Sequence, residues 1–197
     1  MNQTADGDAP SRLFAALDIP ERIRTGFEAW GLHELADPAL RPVAAGSLHL
    51  TLCFLGRTEA ARVGDAVAAV EALEPAAVTV RLERMPSGRP RRFPKVWALE
   101  ASSPAAVRLQ AKLSASLVEA GLMVAERRPF WPHVTVARVL TEPGGRRPKP
   151  TRSAPGPLPE SLSAPFDAVR VSLYRSTLRP EGAEYVPLAN LDLPPAA

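Results

Sequence analysis

Alternation and helical spacing divide this chain into short elements. RLFAALDIP (12–20) is apolar, ends at Pro20 and predicts a strand. ERIRTGFEAWGLHEL (21–35) carries Ile23, Phe27 and Trp30 at helical spacing, with Pro20 and Glu21 suited to a first turn. PVAAGS predicts a turn, and LHLTLCFLG (48–56) alternates as a strand. EAARVGDAVAAVEAL (59–73) keeps Val63, Val67 and Val70 on one side of a helix. VTVRLERM (78–85) and KVWALEA (95–101) alternate as strands on either side of a basic loop. Residues 104–120 repeat the helical spacing through Val107, Leu109, Leu113 and Leu117, and Gly121 is placed to stop them. HVTVARVL (133–140) is a strand, 142–165 is Pro-rich, and 168–178 with 183–193 predict a closing hairpin.

Short links between neighbouring strands favour antiparallel pairing, so the expected class is α+β rather than a doubly wound parallel sheet. His49 and His133 each open a His-x-Thr strand, 84 residues apart, which suggests two halves of common origin.

Composition narrows the function classes only modestly. The 197 residues are 46% hydrophobic and 23% charged, enough for one domain or two lobes sharing a core. A net charge of +3 is compatible with an anionic ligand without requiring one. One cysteine, Cys53, excludes an internal disulfide framework and a cysteine-based zinc site. The polar start MNQTADGDAP resembles no signal or transit peptide, and no apolar run approaches the ~20 residues of a membrane helix. The expected location is the cytoplasm. The expected organisation is a flexible tail (1–11), one catalytic domain (12–193) with a mobile basic loop at 142–165, and a short end (194–197).

The chemistry lies on the polar faces of two strands. Residues i and i+2 of a strand share a face. His49, Thr51 and Cys53 are therefore expected on one side, with Leu50, Leu52 and Phe54 in the core. His133 and Thr135 repeat this, with Val134 and Val136 opposite. A single His-x-Thr is common as a half-exposed polar pair on a strand. Two copies among only three histidines call for more than β propensity. Two imidazoles can divide the acid and base roles, and two hydroxyls can hold the oxygens of a phosphate between them. Neither motif has a second ligand at metal spacing, so no metal is expected. Cys53, farther along the strand from His49, is expected to be a small core or rim residue.

With these flanks, the sequence resembles the 2H phosphoesterase superfamily, named for its two His-x-Thr/Ser-x motifs. Within it, the resemblance is to the RNA 2′,3′-cyclic phosphodiesterases, also called 2′-5′ RNA ligases. It covers RLFAALDIP, RPVAAGSLHLTLCFLG (41–56), KVWALE (95–100), RRPFWPHVTVARV (127–139), SLYRSTL (172–178) and EYVPLANLDL (184–193). Two departures are Trp131, where the family more usually has a small or basic residue, and the long 142–165 loop. The resemblance implies a bilobal fold, with two pseudo-symmetric antiparallel sheets and outer helices around a central cleft. It implies hydrolysis of a terminal 2′,3′-cyclic phosphate to a 2′-phosphate, reversible as 2′-5′ ligation, with no cofactor. His49 and His133 are the implied acid and base, in that order as a first assignment. Thr51 and Thr135 are the implied phosphate ligands. The implied partner is an RNA end bearing a cyclic phosphate, tRNA halves included, bound by a monomer without an obligatory protein partner or membrane. Two other classes stay open: a relative acting on small cyclic nucleotides or 2′-5′ oligonucleotides, and a non-catalytic module that binds RNA ends.

Arg138 matches a phosphate-contacting arginine of the family, yet its odd offset from His133 turns it to the opposite face unless the strand bulges. Phe14 is a candidate platform for a base and equally a core residue. Arg84, Arg89, Arg91, Arg92 and Lys95, and Arg146, Arg147, Lys149 and Arg152, form two basic runs that suit an RNA backbone or plain solvation. His33, near a helix C-terminus, is assigned no catalysis.

Overall fold

Every helix and strand predicted from periodicity forms, with ends shifted by a few residues. The computed structural model describes residues 9–83, 95–142, 144, 147–151, 155–179 and 182–197. Its elements are β1 (Ser11–Asp18), α1 (Glu21–Glu34), β2 (Leu40–Pro42), β3 (His49–Thr58), α2 (Val63–Glu71), β4 (Thr79–Leu82) and β5 (Val96–Ser102). They continue with α3 (Pro104–Glu119), β6 (His133–Val139), α4 (Glu160–Ser163), β7 (Phe166–Asp167), β8 (Arg170–Arg179) and β9 (Gly182–Asp192). Ser103 caps α3, its Oγ accepting from the Ala106 N–H, and Pro104 follows at the first helical position. Gly121, at φ 65°, supplies the left-handed stop expected after that helix.

Among the described residues, neighbouring strands pair antiparallel along the path β7-β4-β5-β6-β3-β1-β8-β9, with β2 also on β6. The path has two halves. In one, β3 pairs with β1, which pairs with the β8–β9 hairpin. In the other, β6 pairs with β5, which pairs with β4. The halves meet where β3 and β6 share one residue pair, Leu50 with Val134. This is a bilobal α+β fold whose two sheets are joined at their central strands.

One apolar core lies on the face of the sheet opposite the histidines. Leu50 and Val134 are 1% and 0% exposed within it, so the seam between lobes is itself core. Ile23, Phe27 and Trp30 of α1 and Ala106, Leu109, Leu113 and Leu117 of α3 cover this face. Truncating Leu50 to alanine would cost about 2–5 kcal/mol.

Three features depart from expectation. β2 forms just ahead of the predicted turn and takes in its first residue, because Leu40–Pro42 finds β6 as a partner. Part of the 142–165 segment, between residues 156 and 162, makes contacts with α1. The Gly156 N–H and Pro157 carbonyl bond Glu34 and Trp30 of α1, and Leu162 of α4 is buried against Gly26, where a Cβ would meet its side chain at 2.7 Å. The face assignment of Cys53 and Phe54 is reversed, for a reason that also shapes the site. Residues 1–8 of the expected tail, and Arg84, Arg89, Arg91, Arg92, Arg146 and Arg152, lie outside the described residues.

Candidate active site

Two equivalent bulges set the cleft-facing residues. Along β3, Ala16 pairs with Thr51 and Ala15 with Cys53, so Leu52 is the extra residue. Along β6, Ala98 pairs with Thr135 and Trp97 with Ala137, so Val136 is extra. An extra residue flips the alternation beyond it. Cys53 therefore turns into the core, 3% exposed, and Phe54 turns out at 68%. Burial pushes the Cys53 thiol up to about 11, which leaves it no role as a nucleophile at neutral pH. In β6 the same flip carries Arg138 to the side of His133 and Thr135, resolving its odd offset. Phe54 and Arg138, each five residues after its histidine, thus occupy corresponding positions in the two halves.

His49, Thr51, His133, Thr135, Phe54 and Arg138 line one cleft of ≈ 570 Å³. The Leu50–Val134 pair joins the two strands that carry the His-x-Thr motifs. Because the strands run antiparallel, that pair is flanked by His49 and Thr135 on one side and by Thr51 and His133 on the other. Each imidazole is thus matched with the hydroxyl of the opposite lobe.

Both rings are held in the same way. His49 Nδ1 is 2.8 Å from the Ser47 carbonyl, and His133 Nδ1 is 2.8 Å from the Trp131 carbonyl. A carbonyl only accepts, so Nδ1 carries the proton in each ring and Nε2 is left for the cleft. The ring neighbours differ between lobes. His49 lies against Phe14, at 4.9 Å between centroids, and edge-on to Tyr185 at 5.3 Å. His133 stacks on Trp131 at 4.2 Å. Burial lowers the His49 pKa below its usual 6.5, and the charges of His133 and Arg138 act in the same direction. The Ser47 carbonyl and Asp18 act against them.

Asp18 is the register partner of His49 on β1. It accepts hydrogen bonds from the Tyr174 hydroxyl at 2.7 Å and from Ser172 Oγ at 3.0 Å, and Arg170 Nε lies 3.6 Å from its Oδ2. Burial and the Asp18 carboxylate push Tyr174 up to about 12, so it stays a donor. The Tyr174 ring in turn stacks on Phe14 at 5.3 Å. Phe14 lines the cleft, is 4% exposed and lies against His49.

Sequence reasoning missed Arg12, Arg41, Phe54 and Tyr185 in the cleft lining. Arg12 was readable, since it shares a strand face with Phe14. Arg41 was not, because it reaches the cleft through β2, where it pairs directly opposite Arg138. Lys95, Arg147 and Lys149 of the two basic runs do not line the cleft, nor does His33. Among the described residues, no three His, Cys, Asp or Glu side chains cluster as a metal site.

The 2′-5′ RNA ligase superfamily model matches residues 16–178, a span that contains both motifs. The chain belongs to this superfamily. It is 32% identical over 133 residues to an RNA 2′,3′-cyclic phosphodiesterase of Escherichia coli, covering 68% of this chain and 74% of that protein. It is 30% identical over 191 residues to one of Thermus thermophilus, covering 92% and 90%. The crystal structure of TT0787 of Thermus thermophilus superposes with a TM-score of 0.72 at 29% identity, covering 92% of this chain and 97% of that one. As a superfamily member, the chain carries both His-x-Thr motifs intact, one from each lobe.

Proposed function

We propose that this protein is an RNA 2′,3′-cyclic phosphodiesterase that opens a terminal cyclic phosphate to a 2′-phosphate. The observation that carries this reading is the pairing in one cleft of two histidines with the same Nδ1–carbonyl anchor, each beside the other lobe's threonine. The 30–32% identical relatives of that name support the substrate class.

The proposed chemistry needs only the chain's own groups. His49 Nε2 removes a proton from water, and the water oxygen attacks phosphorus in line with the departing 3′ oxygen. The P–O3′ bond breaks, and protonated His133 gives its Nε2 proton to O3′. Thr51, Thr135 and Arg138 hold the non-bridging oxygens and stabilise the charge that grows on them. This reverses the first assignment of the two roles. Burial holds His49 neutral, and a neutral imidazole is the one that accepts. With an RNA 5′-hydroxyl as the group released or attacking in place of water, the same apparatus cleaves or forms a 2′-5′ bond. No helix among the described residues is long and apolar enough to cross a membrane.

Incubation with RNA ending in a 2′,3′-cyclic phosphate, in the presence of EDTA, tests the proposal. A 2′-phosphate product supports it. Unchanged RNA, a 3′-phosphate product, or cleavage confined to small cyclic nucleotides contradicts it.

A further inference from the structure

The cleft is symmetric in its histidines and threonines but not at the positions the bulges swing into it. On the lobe of β6 that position holds the Arg138 guanidinium, and on the lobe of β3 it holds the Phe54 ring. Phe54 is 68% exposed although it sits in an apolar strand. Two side chains from the β8–β9 hairpin, Tyr185 and Leu178, line the same cleft, and Leu178 is likewise 68% exposed. An apolar surface beside a reaction centre is energetically costly unless a flat, weakly hydrated group covers it in use.

A cyclic-phosphate nucleotide has one end of each kind. Its phosphate is anionic, and its base, joined through the same ribose, is an aromatic plane. Arg138, opposite Arg41 of β2, offers a guanidinium to the phosphate from the β6 side, and Arg12 and Arg179 also line the cleft, from β1 and β8. The ribose then carries the base towards the β3 lobe. We propose that Phe54 is the platform on which the base of the terminal nucleoside stacks, with Leu178 and Tyr185 bounding it. This replaces Phe14, which is 4% exposed, as the base-binding aromatic. The proposal rests on the cyclic-phosphate function above and adds the orientation of the substrate: phosphate between the two His-x-Thr motifs, base on the β3 lobe over Phe54. A bare aromatic face reads no hydrogen-bond edge, so all four bases are accepted and the larger purines are favoured.

The test compares a nucleoside 2′,3′-cyclic phosphate with glycerol 1,2-cyclic phosphate, which has the reactive ring and no base. The quantity read is the ratio of their kcat/KM values. Phe54→Ala is expected to lower this ratio about 5- to 150-fold, the range for loss of one base–aromatic stack. Phe54→Trp is expected to keep it and Phe54→Ala to erase the purine preference. An unchanged ratio in Phe54→Ala overturns the proposal. If the wild-type protein turns over neither small compound, the function is read on cyclic-phosphate-ended RNA and the platform by binding. The wild type should then bind a nucleoside 2′-monophosphate more tightly than inorganic phosphate, and Phe54→Ala should bind the two alike. Wild-type protein that binds both alike, or a dimer that falls to monomer in Phe54→Ala, overturns the platform.

Discussion

Trp131 holds His133 twice. Its carbonyl is 2.8 Å from Nδ1, and its indole lies over the imidazole with the planes 16° apart. Pro132 between them favours an extended chain at Trp131, and extended residues i and i+2 share a face. The stack therefore follows from the local sequence Trp-Pro-His. Its contact with the His133 ring gives Trp131 an expected role in positioning that ring. Ser47, its counterpart before His49, offers only the carbonyl.

Trp131→Ala should keep the fold and KM and lower kcat about 3- to 10-fold, the worth of one aromatic stack. Trp131→Phe should recover most of the loss. Steady-state kinetics on a cyclic-phosphate substrate check this, and an equal rise in KM would mean that Trp131 touches substrate instead.

The lowered His49 pKa has a consequence for stability. The unfolded chain takes up a proton near pH 6.5, and the folded ring does so only at lower pH. Acidification through that interval therefore favours unfolding, and above pH 6.5 the contribution is fully present. Denaturant titrations from pH 7.5 to 5 should show a loss that His49→Gln reduces. A loss of equal size in the variant contradicts the assignment.

With His49 as the base proposed above, the same ring should set the acid limb of activity. Asp18, His133 and Arg138 are the charged groups that act on His49. Asp18→Asn removes the one that favours its protonation and should move the acid limb of kcat/KM to lower pH. Tyr174→Phe removes a donor to Asp18 without removing the charge, so it should move the limb less. Movement to higher pH in Asp18→Asn would contradict the role of Asp18.

Arg138 should tolerate lysine poorly. A guanidinium can hold two phosphate oxygens at once, and an ammonium cannot copy that geometry. Arg138→Ala should lower kcat/KM about 10- to 150-fold, the range for a hydrogen bond to a charged group, and Arg138→Lys should restore only part. Full restoration by lysine would reduce the contact to charge alone.

Much of this was legible along the chain. Leu50 and Val134 announced buried strands by alternation, and helices α1 and α3 announced themselves by spacing. The repeated His-x-Thr located the cleft. What stayed hidden depended on partners far away in sequence. The bulges at Leu52 and Val136 exist only against β1 and β5, and nothing within HLTLCFLG marks where parity flips. Hence Cys53 and Phe54 were exchanged between faces. β2 is three residues stabilised by β6, too short for any periodic signal. Tyr185, which meets His49 edge-on, comes from the last strand.

The central claim is that His49 and His133 act as one acid–base unit on one phosphate. Turnover of 2′,3′-cyclic-phosphate-ended RNA by His49→Ala, His133→Ala and the double variant measures this directly. Each single variant should lose about 10²–10⁴-fold, and the double should lose little more than either, because half of the pair is worth almost nothing alone. Near-normal turnover in either single variant, or losses that multiply in the double, would contradict it.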